Sequence, residues 1–340
     1  MFAKEHGIHL QKLILVTGIF ILLQAIMGVL AHERAYQYYV RIFLLIEINI
    51  ILTASLSFIN GHTGQFSLGH AGFMAIGAYS SVMVTTVLPR LIMGSALNTG
   101  SLGCHAIFIC SIFLGGGVAG LFGLVIGFPS LRLRGDYLAI VTLAAGEVIR
   151  ALLRFLDFLG GPRGIPGIPK FAGCVYIGLF FMLSIWIMRN IVFSHFSRGY
   201  IAVRDNELAA GCMGINTTFQ KVSAFIVGAF FAGIAGGLFA HMSQYINPDN
   251  FGFLKTLDIL IFLYVGGSQT LAGSIVGAGL FTLVPEGLRL VNIENWRMVI
   301  YPLVLIVVMR FRMNGIMGNR EFGFLTPWKY KEMLLKRGKP

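Results

Sequence analysis

Apolar residues in this chain come in long runs rather than in helical stripes or strand-like alternation. The runs fall near 13–30, 40–59, 66–88, 106–128, 137–156, 173–193, 218–242 and 297–312. Most reach the roughly 17–25 residues that a helix needs to cross a bilayer. The stretch 255–290 is also apolar but is interrupted at Gly266-Gly267-Ser268-Gln269. It reads as a short span, 255–267, followed by a full one, 271–290. The pattern predicts an all-α integral membrane protein, a polytopic bundle of about ten transmembrane helices. The count falls to eight or nine where short and broken helices are merged.

Composition supports that reading. Hydrophobic residues make up 56% of the 340 and charged residues only 12%, about half the usual soluble share. Such a chain lacks the polar side chains to cover a globular surface, so the lipid bilayer is its expected surrounding. The 43 glycines fit closely packed helices. The whole of 1–340 is expected to form one transmembrane domain. Its largest polar connection lies at about 194–217, and a basic tail follows at about 313–340. The run 13–30 follows Lys4 and Lys12, and Val29-Leu30-Ala31 has the look of a signal-peptidase site. With 18 residues the run is long for a cleaved signal and is read as a retained first span.

The net charge is +12, and its placement sets orientation. An alternating path with a cytoplasmic N-terminus puts Lys4, Lys12, Arg132, Arg134, Arg198, Arg204, Lys221 and the eight basic residues from Arg310 to Lys339 on one side. Basic loops favour the cytoplasm, so both termini are expected there. The basic residues sit at the ends of apolar runs and form no soluble face for nucleic acid. Cys104, Cys110, Cys174 and Cys212 make no metal-binding spacing, and they read as structural.

Five stretches carry candidate chemistry. In the first, Asn60 to Gly72, the polar Gln65, Ser67 and His70 stand among small residues where a span should begin. Two readings are open: a discontinuous helix beside a translocation pathway, or a tight packing face. The second, Gly266 to Ser274 with Gln269, resembles the first in kind. Paired interruptions in two halves of a chain point to a repeat-built transporter. The third is Glu147, Arg150 and Arg154, which share one helix face. They form either a polar lining or a structural ion pair near an outer helix end. The fourth, Arg198 to Ile215, has Asp205 and Asn206 to cap a helix, Ala209 and Ala210 to extend it and Gly214 to end it. It predicts a short helix suited to a cleft of a cytoplasmic partner. The fifth, Gly160-Gly161-Pro162-Arg163-Gly164-Ile165-Pro166-Gly167-Ile168-Pro169, is an irregular outer loop: a rigid lid, a docking surface or a spacer. No G-x-x-x-x-G-K-[ST], G-x-S-x-G or H-E-x-x-H occurs. Any ATP that drives this protein must therefore be bound by another chain.

Residues 202–210, Ala-Val-Arg-Asp-Asn-Glu-Leu-Ala-Ala, followed by Met213-Gly214-Ile215, resemble the cytoplasmic loop of the LivM-type permeases of branched-chain amino acid ABC importers. Gly61 to Ala71, Leu131 to Leu143 followed by Glu147, Gly160-Gly161-Pro162 with Gly164, and Gly266 to Gly277 are similar to further family motifs in the same order. The resemblance covers roughly 40–312. It implies a permease subunit without enzymatic activity in a bacterial inner membrane. The implied partners are a second homologous permease, two cytoplasmic ATPase subunits that bind the ATP, and a periplasmic or surface solute-binding protein. By resemblance, Arg204, Asp205, Asn206, Glu207, Ala209, Ala210 and Gly214 form the ATPase contact. Gln65, Ser67, His70, Glu147 and Gln269 are pathway candidates by polarity. The chain departs from the family at Gly211, Cys212 and Arg163; Gly211 weakens the helix, and Arg163 alters the outer loop. Urea and short-chain amide permeases share the scaffold, and an ion-coupled carrier centred on Glu147 and Arg150 is the rival mechanism. A membrane scaffold or intramembrane enzyme has no catalytic constellation behind it.

Overall fold

A computed structural model describes residues 2–31, 33–87, 102–130, 135–290, 296–312, 314–318, 320–323 and 325–326. Its regular structure is almost wholly helical. The helices are α1 (Phe2–Leu30), α2 (Gln37–Ser57), α3 (His70–Val82), α4 (Leu102–Ser130), α5 (Asp136–Phe155) and α6 (Cys174–Val192). They continue as α7 (His195–Asp205), α8 (Glu207–Cys212), α9 (Thr217–Ser243), α10 (Phe253–Gly266), α11 (Leu271–Leu290) and α12 (Arg297–Phe311). Two two-residue strands pair antiparallel, Ile165 opposite Ile246 and Pro166 opposite Tyr245. Arg132, Arg134 and the tail beyond Thr326 lie outside the described residues, as do the side chains of Lys4 and Lys12.

The helices fall where the apolar runs predict them. Among the described residues five are long and apolar enough to cross a membrane: Gln37–His62, Gly103–Phe128, Cys174–Val192, Thr217–Ser243 and Leu271–Arg289. The other expected spans are helical but shorter or more polar. Two expectations need correction. The run 66–88 does not begin as helix: the chain stays irregular to Gly69, and α3 starts at His70. The single short helix expected between two spans is two helices, α7 and α8. Asn206 divides them in an extended conformation (φ −160°, ψ 107°), with its side chain capping α8.

At the centre, α9 lies against α3 and α4. In an apolar surrounding helices gain little from hiding apolar surface from one another, so close backbone approach must supply the attraction. Gly77 of α3 faces Gly233 of α9 so closely that a methyl group on Gly77 would land on the Gly233 backbone. Gly236 meets the Met74 carbonyl in the same way. Several polar groups in this core are paired. His241 Nε2 lies 2.8 Å from Thr85 Oγ1, and Ser81 Oγ is 3.1 Å from Ser111 Oγ. On the flank, the Gln24 amide of α1 donates to Glu47 of α2, which is 2% exposed.

Contacts between connections sort into two sets. At one end the α6–α9 connection, the α2–α3 break, the α10–α11 break and the segment after α12 meet. Arg204 Nη1 donates to the Gly61 carbonyl at 3.4 Å, the Ile316 amide to the Val265 carbonyl at 2.8 Å, and Arg189 Nε to the Leu325 carbonyl at 2.6 Å. At the other end the α5–α6 loop joins the α9–α10 loop, where Tyr245 donates to the Arg163 carbonyl at 3.0 Å. Tyr38, at the start of α2, meets Glu286, near the end of α11, at that same end. These pairings join connections that the alternating path puts on one side.

The glycine contacts give an ordered expectation. Gly77→Ala should lower the melting temperature of the purified protein, since overpacking costs about 1–3 kcal/mol. Gly117→Ala, which meets nothing within 4 Å, should leave it equal or higher, because alanine gains up to about 1 kcal/mol in a helix. Melting curves in detergent that reverse this order would contradict the packing described.

Candidate translocation and coupling site

The first break is built from groups that replace the missing helical hydrogen bonds. Helix α2 widens through Phe58–His62 into a π turn. The chain then turns at Gly64 (φ +68°) and runs without helix to Gly69. Freed backbone groups at membrane depth must be met by protein or by a water-lined cavity. Here the Ser67 amide donates to Asn60 Oδ1 (3.2 Å) and the Leu68 amide to Thr142 Oγ1 of α5 (3.0 Å). A methyl group on Gly69 would land on the Thr142 carbonyl. The helix is therefore discontinuous, and its small residues form a packing face. His70 belongs to the packing, with Nε2 2.7 Å from Ser55 Oγ. Gln65 and Ser67 are buried (5% and 0% exposed), yet both amide atoms of Gln65 and the Ser67 hydroxyl have no partner among the described residues.

The second break lies beside the first. Gly267 takes φ +126°, a conformation that favours glycine. The segment after α12 clamps it: the Met317 amide donates to the Gly266 carbonyl at 3.0 Å. Glu321 then accepts from the first amides of α11, Leu271 at 2.7 Å and Ala272 at 3.2 Å. Burial holds the Glu321 carboxyl above the usual range, although these amides pull it down. A methyl group on Gly61 would land on the Ser268 carbonyl, Asn60 donates to the Tyr264 hydroxyl at 3.5 Å, and the Phe66 and Tyr264 rings are 6.1 Å apart. Gln269 is exposed at this end.

The α7–α8 segment has an inner and an outer side. Asp205, Asn206, Ala209 and Gly214 are exposed, together with Leu208 (68%) and Met213 (83%). Ala210 is buried (5%), and Glu207 is engaged by Lys221 at 2.6 Å. Arg204 turns inward. Its Cγ packs under Gly64, it reaches the Gly61 carbonyl, and it pairs with Asp205 at 3.0 Å. The segment is therefore fixed to the first break by one side chain.

Glu147, Arg150 and Arg154 stand at the opposite end from this segment. Arg150 pairs with Glu147 at 2.6 Å and lies 3.9 Å from Asp249, which Arg154 also contacts. The geometry is that of an ion-pair cluster joining α5 to the turn before α10. Sequence reasoning missed Asp249 because its partners are about a hundred residues away. It also missed Glu321, and a cleft of about 860 Å³ between α2 and α11 where Tyr38 touches Glu286 and Arg289 above an apolar floor of Ile42, Phe43, Ile46 and Leu283. The α5–α6 loop holds its shape by left-handed glycines, with Gly164 (φ +73°) set against the Ile246 carbonyl. Among the described residues no His, Cys, Asp or Glu group is placed to hold a metal.

A family profile described as branched-chain amino acid transport system / permease component matches residues 38–309. The chain belongs to this family. The permease protein LivM of the high-affinity branched-chain amino acid transport system of Salmonella typhimurium is 30% identical, over 79% of this chain and 68% of its own length. LivM of Escherichia coli shows the same identity and coverage. LivH of Escherichia coli is 24% identical over 80% of this chain and 91% of its own. No solved structure matches. In this chain the two breaks and the α7–α8 segment are the features that the fold brings together.

Glu321→Ala removes the acceptor for the first two amides of α11 and should destabilise the protein by about 1–2 kcal/mol. Asp249→Ala removes an exposed partner and should cost under about 1 kcal/mol. Parallel denaturation of the two variants checks the order; a larger loss for Asp249→Ala would contradict it.

Proposed function

We propose that this chain is the transmembrane permease subunit of an ATP-driven importer that moves branched-chain amino acids across a bacterial inner membrane. It catalyses no reaction itself. Two cytoplasmic ATPase subunits bind the ATP, a second homologous permease completes the pathway, and a solute-binding protein delivers the solute. The end that carries α7 and α8 faces the cytoplasm in this reading, with both chain termini. Asp205, Asn206, Leu208, Ala209, Met213 and Gly214 meet the ATPase, while Arg204, Glu207 and Ala210 hold the segment on the bundle. The alternating-access step is a rigid-body rocking.

The observation that carries this reading is the two-sided α7–α8 segment. Its outer surface combines capping polar groups with two large exposed apolar side chains, Leu208 and Met213. Its inner surface ends on Arg204, in contact with Gly61 and Gly64. A partner that pulls on the outside thereby moves the first break. The opposite cleft at Tyr38, Glu286 and Arg289 suits solute arriving from the delivery protein.

Uptake of labelled leucine and of urea into cells tests the function. Leu208→Glu with Met213→Glu, at equal membrane level, should lower ATP-dependent leucine uptake at least about tenfold, because a charge buried in an apolar contact costs well over 1.4 kcal/mol. Unchanged uptake would favour an ion-coupled carrier, and uptake of urea alone would reassign the solute. Arg204→Ala should reduce the solute moved per ATP hydrolysed by about fivefold or more, the scale of a typical coupling energy. An unchanged ratio would show that Arg204 does not transmit the motion.

A further inference from the structure

The first break holds buried polar groups that no described residue pairs with. Gln65 is 5% exposed and Ser67 fully buried, and the Gln65 amide oxygen, the Gln65 amide nitrogen and the Ser67 hydroxyl have no partner among the described residues. A buried amide or hydroxyl left unpaired costs about 1–3 kcal/mol, so three such atoms within three residues are a standing cost. They lie on the segment that leads into α3, whose N-terminus begins at His70 with Gly69 at the cap position and no side-chain cap. The first amides of a helix favour an anion. The helix is 13 residues long, so this is a full helix terminus and not a single turn. Nearby backbone amides are already spoken for: Ser67 donates to Asn60 and Leu68 to Thr142.

We propose that the α2–α3 break is a solute-binding station that holds the carboxylate of a zwitterionic amino acid at the uncapped N-terminus of α3. The inference rests on the import reading above and adds the site and the group recognised. The Ser67 hydroxyl and the Gln65 amide nitrogen donate to the solute carboxylate, alongside the first two amides of α3, the Gly72 amide being already bonded to the Gly69 carbonyl at 3.0 Å. The Gln65 amide oxygen accepts from the solute ammonium. An amide with both atoms unused matches a solute that carries an acceptor and a donor, which a simple anion does not. Phe66, 39% exposed, and Tyr264 stand with ring centres 6.1 Å apart and offer apolar faces to an aliphatic side chain. Arg204, packed under Gly64, ties the station to the α7–α8 segment. A movement of that segment opens or closes the break around the solute.

The test is equilibrium binding of labelled leucine to the assembled transporter in detergent, without the solute-binding protein. Leucine should bind the wild-type complex and be displaced by unlabelled leucine, whereas leucinamide, which lacks the carboxylate, should displace it at least about tenfold more weakly, the cost of a missing partner for buried donors. Ser67→Ala and Gln65→Leu should each weaken leucine binding about tenfold by the same reasoning. Three outcomes overturn the proposal: no leucine binding by the wild-type complex, equal displacement by leucinamide, or unchanged affinity in both variants. Each of these leaves the import reading standing if the same preparation, in liposomes with the binding protein, takes up leucine. Absence of that uptake sinks both.

Discussion

The structure depends on one constraint: a backbone group released from a helix within an apolar surrounding must find another partner. Both breaks meet it in part with protein atoms drawn from far along the chain. Asn60 and Thr142 serve the first. Glu321 and the backbone of residues 314–318 serve the second. Because Thr142 belongs to α5 and Glu321 follows α12, each break is a junction where several elements are fixed to one another. Glycine makes the junctions tight, as where Gly61 presses on the Ser268 carbonyl. Contacts among the two breaks, the α7–α8 segment and the residues after α12 concentrate at one end of the bundle.

That concentration explains why the polar α7–α8 segment sits where it does. A segment grafted elsewhere would have to act through intact helices, which transmit translation poorly except as whole bodies. On the proposed function it acts at the first break, where the chain leaves the helix at Gly64. Arg204 suits this position because its long stem packs under Gly64 while its guanidinium reaches both Gly61 and Asp205. The ionic groups at the far end do a different job. Arg150 and Arg154 share Asp249 and hold α5 against the turn before α10.

Much of this is legible in the sequence. The helices follow the apolar runs, and both breaks stand at Gly-rich interruptions, because backbone freedom has to be written locally in glycine. The start of α3 is not legible, because residues 66–69 are as apolar and small as the helix after them; only their hydrogen bonds show them to be irregular. The division of α7 from α8 at Asn206 is hidden because a residue that caps one helix reads equally well as part of a single one. Partners remote in sequence leave no local signal at all, so Asp249, Glu321 and the cleft at Tyr38, Glu286 and Arg289 emerge only in three dimensions. The inward turn of Arg204 and the burial of Ala210 are likewise invisible to motif resemblance, which reports that a segment is shared and not which way each side chain faces.

On the proposed function, the α7–α8 segment carries the first break with it when the transporter changes state. Pulsed spin-label distances in the assembled transporter address it directly, with labels at Phe66, Ala209 and Gln269, each exposed, in a chain cleared of its four cysteines. Between nucleotide-free and ATP-bound states the 66–209 distance should stay fixed while the 66–269 distance changes. A changing 66–209 distance with a constant 66–269 distance would contradict the account.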